Sequence, residues 1–484
     1  MDMKKFVLII SIFILSFLYD SANAATYYVD GKVLNDNGTG TSLSPKKYIM
    51  SGISLLSSSG GDTLIIADGT YSSSYDVITK IPNGQPGAYN TIKAKYTGGV
   101  TISAINGFNI GSSYAQIIGL KISGPWNKLV SGNHIKIIKC AFEGGASSGN
   151  NINLAFGGSY NLLEDCWVYG LGGRYKVLIY RADHNILRRV VVRDDGGWTS
   201  TNGDPQAGIT VYESPNILLQ NCIVIDSDLT TYDNDNVGAF YLTGHAGNPS
   251  SNNIKWEGCI AFNNKKSAWN IDTDDGGSGT KLVNCVAYKH EYVGCATGNT
   301  ALNTVIENMT IGKCAITSGL AGYSKSGTLS ATNTIVFDTT GDAVKNTTIS
   351  YSNTFNTANN GSGIGIVHVN PLDAGLKHLI KIEDGSSLKT LGKNGSQIGA
   401  DVRFKVGVSG TLFDENGFDR VTTDLLWRWP NEDLIKNDMA KVSNRGFCAS
   451  GQTLTDYIWS SLGNKPDPSL FCSEIKKVTV RISN

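Results

Sequence analysis

Charged residues are scarce in this 484-residue sequence, and neither sign exceeds the other. They make up 17% of the chain, with 41 Lys and Arg against 41 Asp and Glu. A chain without net charge offers no long-range field to nucleic acid or to an anionic membrane surface. Disorder is excluded too, because 40% of the residues are apolar. The composition therefore predicts a folded protein that binds no nucleic acid.

Long apolar runs are also lacking beyond the N-terminus. Two lysines precede an apolar run at residues 6–19, and small residues follow at 22–24. This run of about 14 residues is shorter than the ~20 that a membrane-spanning helix needs. The pattern is typical of a secretory signal peptide over residues 1–24, cleaved before Ala25. We therefore predict a secreted or cell-surface protein with no membrane span.

Histidine is rare, with 6 residues scattered along the chain, and serine–histidine, zinc and phosphate-loop spacings are missing. Glycine, in contrast, is abundant at 56 residues, and a short phrase recurs between about residues 110 and 340. Each copy alternates apolar and polar residues, the period of a half-buried strand. Turn-forming residues fill the gaps. One position of the phrase is occupied in turn by Leu120, Cys140, Cys166, Val190, Cys222, Cys259, Cys285 and Met309.

This repeat of 20 to 37 residues, without helical segments, predicts a parallel β-helix. A leucine-rich repeat would need a regular leucine pattern with a helical return, and a propeller blade would need a longer repeat. The five cysteines of the phrase are expected to form a buried column of free thiols, since side chains of aligned coils run parallel and have poor disulfide geometry. Cys448 and Cys472 lie outside the repeat and are better disulfide candidates.

Both ends of the repeat region carry distinctive phrases. The N-terminal end reads YYVD, GTGTSLSP and GDTLIIADGTY within residues 27–71, with a short capping helix predicted within 45–56. This end resembles the start of exported proteins of the pectate-lyase-like superfamily, and residues 370–372 and 395–401 resemble the closing coils of the same proteins. The resemblance covers about residues 25–405 and implies an all-β, right-handed parallel β-helix. It does not fix the chemistry, because that superfamily contains lyases, hydrolases, epimerases and inert surface proteins.

Residues 406–484 differ in composition and predict a small appendage that contains α-helix. Amphipathic stretches occur at 434–442 and 453–462. The appendage is expected either to lie along the solenoid as a cap or to dock a partner. Trp427 and Trp429 could be buried there or could stack on sugar rings. The predicted organisation is a signal peptide at 1–24, a β-helix domain at 25–405 and an appendage at 406–484.

The two longest repeat intervals flank Cys222, and they predict loops that border a groove at 193–204, 226–236 and 245–252. Between the loops, apolar residues are expected to point inward and their neighbours outward. Such an outer row of tyrosine, asparagine and a few charged residues suits a polysaccharide. The predicted outer row consists of Lys176, Tyr180, Thr210, Tyr212, Tyr241, Asn270 and Asp272.

Elimination on an acidic sugar needs a base and a cation that neutralises the sugar carboxylate. The sequence offers basic, tyrosine and acidic residues around the predicted groove. Ca²⁺ is a possible cofactor, because two acidic clusters supply hard oxygen donors, although neither has the spacing of an EF-hand. The candidate catalytic residues are Lys176, Tyr212, Tyr241 and Arg181; the candidate substrate-binding residues are Arg174, Tyr180, Arg193, Trp198 and Asn270; and the candidate calcium ligands are Asp233, Asp235, Asp272, Asp274 and Asp275.

Residues 216–288 are distantly similar to the calcium-dependent pectate lyases of polysaccharide lyase family nine. The matching phrases are residues 236–242 and 266–271. Tyr241 stands at the position of that family's catalytic lysine, and Val237, Ser267 and Asn270 stand at aspartate positions. The family's catalytic motifs are therefore not kept, and an enzyme here would use a rearranged site. We expect a lyase or epimerase on acidic glycans or, alternatively, a non-catalytic structural, adhesive or glycan-binding protein.

Overall fold

The computed structural model describes residues 24–147, 152–199, 205–229, 238–273, 277–298, 303–314, 318–322 and 329–471. Each coil of the chain adds one strand to each of three long sheets, and the strands within these sheets pair in parallel. The result is a right-handed parallel β-helix, and the predicted fold class is confirmed. In the described ranges, no helix is long and apolar enough to cross a membrane.

The chain visits the sheets in a fixed order, which we call first, second and third. The first sheet contains Thr26–Val29, Thr63–Ile66, Asn90–Ala94, Ala115–Ile118, Lys136–Ile138, Leu162–Glu164, Ile186–Arg188, Leu218–Gln220, Lys255–Glu257, Lys281–Val283, Thr304–Glu307, Leu329–Thr332 and Thr348–Ser350. The second contains Gly69–Tyr71, Val100–Ile102, Leu120–Ser123, Ala141–Glu143, Trp167–Gly170, Val191–Asp194, Ile223–Ile225, Ile260–Phe262, Val286–His290, Thr310–Cys314, Ile335–Phe337 and Asn353–Phe355. The third contains Ile78–Thr79, Phe108–Ile110, Lys128–Val130, Ile152–Phe156, Tyr175–Tyr180, Ala207–Tyr212, Gly238–Gly244, Ser267–Thr273, Cys295–Thr297, Ser318–Gly322 and Asp342–Lys345.

Short helices lie at the two ends of the chain. Helix α1 (Ile49–Ile53) closes the N-terminal end of the solenoid, as predicted, and Gly52 permits its close approach: a Cβ there would lie 2.5 Å from Val29 Cγ2. Beyond the solenoid, an antiparallel hairpin pairs Phe404–Val406 with Val421–Leu425. Helices α2 (Glu432–Val442) and α3 (Leu454–Trp459) follow. Single 3₁₀ turns occur at Ser387–Lys389, Lys393–Gly395, Gly446–Cys448, Ser460–Leu462 and Pro468–Leu470.

The recurring phrase of the sequence ends at the corner where the chain passes from the first sheet to the second. One residue there has positive φ in successive coils, for example Asn221, Asn284 and Asn308 at 51°, 52° and 54°. Asparagine tolerates this left-handed conformation better than most residues. The next residue points inward. The predicted cysteine column is confirmed at this inward position, because all five thiols are free and fully buried.

Residues 370–471, which we call the covering segment, lie along the outside of the solenoid. Most of their apolar side chains form one cluster with the outward side chains of the second sheet, and Leu412 packs in a smaller cluster with Leu162, Ile186 and Leu218 of the first sheet. Both Trp427 and Trp429 are buried in this cluster, with 0% and 3% exposure. Residues on both sides of position 405 belong to it, and the predicted domain boundary at 405 stays a prediction.

The first part of the covering segment runs back along the corner between the first and second sheets. Gly399 N donates to Asn333 O at 2.8 Å, and Asp401 N donates to Asn284 Oδ1 at 3.3 Å. Further back, Val406 N donates to Asn221 Oδ1 at 2.7 Å. The corner asparagines thus bind the returning chain. Residues 395–401, which were expected to form a closing coil, belong instead to this returning chain.

Candidate functional site

The outer face of the third sheet carries a groove of about 260 Å³. It lies where the strands Ile152–Phe156, Tyr175–Tyr180 and Ala207–Tyr212 run side by side. Because the strands pair in register, equivalent residues of successive coils form rows across this face. The groove is lined by aromatic and aliphatic side chains and one guanidinium, namely Ile152, Arg174, Tyr175, Leu178, Tyr180 and Tyr212.

Tyrosine rings form the walls of this groove. Tyr180 and Tyr212 pair in register on neighbouring strands, and their ring centroids lie 5.1 Å apart in an edge-to-face arrangement. Tyr180 is 37% exposed, so its ring is accessible to a ligand. The ring of Tyr175 lies 6.4 Å from that of Tyr241. Tyrosine combines an apolar ring with a hydrogen-bonding tip, and the walls therefore suit a ligand with both apolar and hydroxyl surfaces.

Arg174 gives the groove a positive group. Its Nε donates to Pro205 O at 2.9 Å, and its guanidinium carbon lies 4.8 Å from the centroid of the Tyr175 ring. These contacts orient a planar group that binds carboxylates through paired hydrogen bonds. Three of the predicted site residues, Arg174, Tyr180 and Tyr212, are thus brought together in one groove.

A polar cluster adjoins the groove at Tyr212. The Tyr212 hydroxyl lies 2.8 Å from His245 Nδ1, and the same nitrogen lies 3.2 Å from Glu213 Oε1. Arg181, which was predicted from the sequence, donates from Nε to Glu213 Oε2 at 2.7 Å. Asn248 Nδ2 donates to Glu213 Oε1 at 2.9 Å. His245, Arg181 and Asn248 thus surround a carboxylate whose side chain is only 1% exposed, and Tyr212 joins the cluster through His245.

The remaining groups of the cluster reach solvent. The side chains of His245 and Arg181 are 61% and 50% exposed. Burial raises the pKa of the Tyr212 hydroxyl, and the nearby Glu213 and Tyr180 add to the effect. Tyr212 therefore keeps its proton at neutral pH. The cluster combines a protonated phenol, an accessible imidazole and a buried carboxylate within hydrogen-bonding distance.

The prediction that Lys176 points outward is wrong. Its side chain is fully buried, and Nζ donates to Gly170 O at 2.8 Å and to Gly172 O. Asp194 Oδ1 lies 3.4 Å from the same nitrogen, and burial raises the pKa of Asp194 to about 6. The outward orientation on which the proposed role of Lys176 as a base depended is therefore absent.

The reason is a break in the inward–outward alternation at the start of these strands. Lys176 and Val177 are consecutive, and both are fully buried. In the following coils the residue in register with Lys176 is Gly208 and then Ala239. A Cβ at Gly208 would lie 2.7 Å from Val224 Cγ1, a side chain of the interior. This row therefore faces the interior, and only small residues follow the lysine in it.

Arg193 and Trp198 also lie away from the groove surface. Arg193 is fully buried, pairs with Asp195 Oδ1 at 2.8 Å and donates to Met439 O at 2.6 Å. It therefore contacts the covering segment, and its predicted role in substrate binding stays a prediction. Trp198 is buried, with 6% exposure.

Tyr241 and Asn270 share one register row with Thr210 on the third sheet, but both are buried, with 3% and 4% exposure. Burial raises the pKa of Tyr241. Neither side chain lines the groove as Tyr180 and Tyr212 do. Their predicted roles in catalysis and substrate binding stay predictions.

The predicted calcium ligands fall mostly outside the described residues. Asp233, Asp235, Asp274 and Asp275 all lie there, and Asp272 is half-buried at the end of its strand. Within the described part of the chain, no group of three or more His, Cys, Asp and Glu side chains could hold a metal ion. Cys472 lies outside the described residues as well, so the Cys448–Cys472 disulfide also stays a prediction.

Sequence reasoning missed Tyr175 and Leu178 in the groove and Glu213 and His245 beside it. The alternation rule assigned positions to one face or the other from Lys176 onward and did not consider Tyr175, which precedes it. Glu213 and His245 belong to consecutive coils and are 32 residues apart. The available signal was the loop prediction at 245–252, which does contain His245 and Asn248.

Similarity to known proteins is found among solved structures. The sequence matches no protein-family model, and no curated protein matches it. Among solved structures, pectate lyase Pel9A is 15% identical, with a TM-score of 0.43 over 83% of this chain and 96% of that one. A rhamnogalacturonan lyase is 12% identical, with a TM-score of 0.43 over 83% and 97%. An alginate lyase from Paenibacillus sp. is 13% identical, with a TM-score of 0.41 over 66% and 99%.

Proposed function

We propose that this chain binds a polysaccharide along the outer face of the third sheet. The observation that carries the proposal is the groove itself, in which Tyr175, Tyr180 and Tyr212 form walls around the guanidinium of Arg174. Aromatic rings bind the apolar faces of sugars, and the phenol and guanidinium groups provide hydrogen bonds to hydroxyl and carboxylate groups. A site of this composition, concave and mostly apolar with a few convergent polar groups, is typical of ligand binding.

The polysaccharide we propose is acidic. The chain as a whole is neutral, and among the described residues that line the groove the charged side chain is that of Arg174. Arg181, at the border, is already paired with Glu213. A guanidinium that is held in place by neighbouring contacts pairs well with a sugar carboxylate. Chemistry of the lyase or epimerase type on such a glycan is the enzymatic form of this proposal, and binding without catalysis is its alternative.

We also propose export, based on the signal-peptide pattern of residues 1–24. An exported protein would meet polysaccharides outside the cell. Expression of the full sequence in a bacterial host, followed by N-terminal sequencing of the released protein, tests this. Ala25 is the expected first residue, and retention of residues 1–24 on the exported protein would contradict it.

The binding proposal can be tested by affinity electrophoresis through gels that contain polygalacturonate, alginate, a glycosaminoglycan or neutral dextran. We expect retardation by at least one acidic glycan and none by dextran. Arg174→Ala should weaken binding about tenfold or more, because it removes the guanidinium of the groove. Arg420→Ala is the matched control, since Arg420 is an exposed arginine of the covering segment outside the groove lining. Equal retardation of the two variants, or no retardation by any acidic glycan, would contradict the proposal.

A further inference from the structure

The cluster beside the groove has the arrangement of an acid–base pair. Both contacts of His245 involve Nδ1. A carboxylate only accepts hydrogen bonds, so Glu213 favours the tautomer in which Nδ1 carries the proton. In that tautomer Nε2 is the basic nitrogen. The imidazole is 61% exposed, whereas the carboxylate that orients it is buried.

Glu213 is itself held in place. Arg181 Nε and Asn248 Nδ2 donate to its two oxygens at 2.7 and 2.9 Å. A fixed carboxylate that orients an imidazole is a recurrent way to prepare a histidine base. Tyr212, which contacts the same ring nitrogen, belongs to both the cluster and the groove wall, so the cluster adjoins the proposed binding site.

We propose, on the basis of the polysaccharide-binding function above, that His245 and Tyr212 catalyse β-elimination of a uronate polysaccharide. His245 is the base, Tyr212 is the acid, and Glu213 is a positioning residue. The raised pKa of Tyr212 supports the assignment of the acid, because a phenol that keeps its proton can donate it to a leaving oxygen.

The step balances as follows. His245 Nε2 takes the proton from the sugar carbon next to the carboxylate. The electron pair of that C–H bond forms a double bond to the neighbouring ring carbon, whose bond to the glycosidic oxygen breaks. The oxygen keeps that bonding pair and takes the Tyr212 proton. His245 then loses a proton to solvent and Tyr212 regains one, so a single chain becomes two, one of which ends in an unsaturated uronate.

The geometry also selects the substrate class. The Tyr212 hydroxyl lies 2.8 Å from His245 Nδ1, so the phenol and the imidazole stand side by side where the cluster adjoins the groove and approach the sugar from one side. Elimination from one side requires that the abstracted proton and the leaving oxygen lie on the same face of the ring. Mannuronate and glucuronate have this relation, whereas galacturonate and guluronate have the two groups on opposite faces. We therefore assign the site to mannuronate or glucuronate polymers.

The experiment measures the ultraviolet absorbance of unsaturated uronates released from mannuronate-rich alginate, hyaluronan, guluronate-rich alginate and polygalacturonate. The protein is the full chain after export. We expect product from mannuronate-rich alginate or hyaluronan, and at least tenfold less from the other two polymers. Binding to each polymer is measured in parallel by affinity electrophoresis.

Three variants test the assigned roles. His245→Ala and Tyr212→Phe should each lower kcat by about 10²–10⁴-fold while KM changes little, which is the usual contribution of a general acid or base. Added imidazole should restore part of the His245→Ala activity, a result that a purely structural role would not give. Glu213→Gln should lower kcat at least tenfold and move the acidic limb of the pH–rate profile. His368→Ala is the matched control, because His368 contacts Thr354 instead of the groove.

The outcomes separate the two proposals. If no acidic glycan binds, the proposed function fails and this inference fails with it. If glycans bind but none of the four polymers yields unsaturated product, or if His245→Ala and Tyr212→Phe react like the wild type, the inference alone is overturned. Product from polygalacturonate alone would also overturn it, since that polymer has the opposite stereochemistry.

Discussion

The second and third sheets both present aromatic side chains on their outer faces, but the two faces differ in how far these side chains are exposed to solvent. On the second sheet, Trp167, Tyr169 and Tyr288 are at most 1% exposed, because the covering segment packs over them. On the third sheet, Tyr180 is 37% exposed, and the tyrosine-walled groove lies outside that cluster. An outward aromatic on a solenoid strand therefore indicates either an internal interface or a ligand surface, depending on what the rest of the chain covers.

Buried charges distinguish the two faces more clearly than aromatic residues do. On the second sheet, Arg193 donates to Met439 O at 2.6 Å, and on the adjoining first sheet Arg188 donates to Val408 O at 2.7 Å, so both guanidinium groups bind the covering segment. Arg174, which directly precedes a strand of the third sheet, donates to the backbone carbonyl of Pro205 and lines the groove. We infer that arginine holds the covered face closed and serves a ligand on the open face.

The largest expected effect comes from removing an arginine of the covered face. Arg193→Ala should lower the free energy of unfolding by about 3–5 kcal/mol, because the buried Asp195 loses a partner and the carbonyls of Met439 and Ser443 lose their donor. Urea denaturation measures the change. Limited proteolysis should also cut within the covering segment sooner than in the wild type.

Arg174→Ala is the matched control on the open face. It should change the free energy of unfolding by less than about 1 kcal/mol, since its guanidinium lies at a groove surface. If the two variants lose stability equally, the distinction between a structural and a ligand-binding arginine is wrong.

The next largest effect is a pH dependence of the free energy of unfolding, caused by a histidine buried in the interior. His290 is fully buried, its Nε2 lies 3.0 Å from Ala261 O, and burial lowers its pKa to about 4. A histidine with a lowered pKa contributes stability above about pH 6.5 that is lost as pH falls toward 4. Over that window the wild type should lose about 3 kcal/mol more than His290→Gln, which cannot titrate. Parallel urea curves at pH 7 and pH 4 check this, and equal losses would contradict it.

The fold was predictable from the sequence because each coil repeats the same environment. Inward positions such as Cys166 and Cys222 meet the same position of the next coil, and the repeat therefore encodes its own packing. The site was predictable only in part. Tyr180 and Tyr212 followed from alternation, but Lys176 did not, because two consecutive residues face inward where its strand begins. The Tyr212–His245 contact joins residues of two coils, and no spacing rule indicates it.

A third prediction concerns that misassigned lysine. Lys176→Ala should lower the free energy of unfolding by about 1–3 kcal/mol, since it leaves two buried carbonyls and Asp194 without their donor. Thermal or urea unfolding gives the value. Lys95→Ala is the control, because Lys95 is exposed and should shift stability by less than about 0.5 kcal/mol. If both variants were equally stable, the buried position of Lys176 would be wrong and its side chain would be exposed, as the sequence predicted.

The smallest effect on stability, and the sharpest test of the open face, is expected from Tyr180. Its ring contacts Tyr212 and Arg181 but is 37% exposed, so Tyr180→Ala should change the free energy of unfolding by about 0.5–1 kcal/mol. Glycan binding should fall about fivefold or more in affinity electrophoresis, because one wall of the groove is lost. Tyr96→Ala removes a tyrosine that is 62% exposed outside the groove and should leave binding unchanged. A large loss of stability with unchanged binding would mean that Tyr180 serves packing, as the aromatics of the second sheet do, and that the third sheet has no open ligand face at this position.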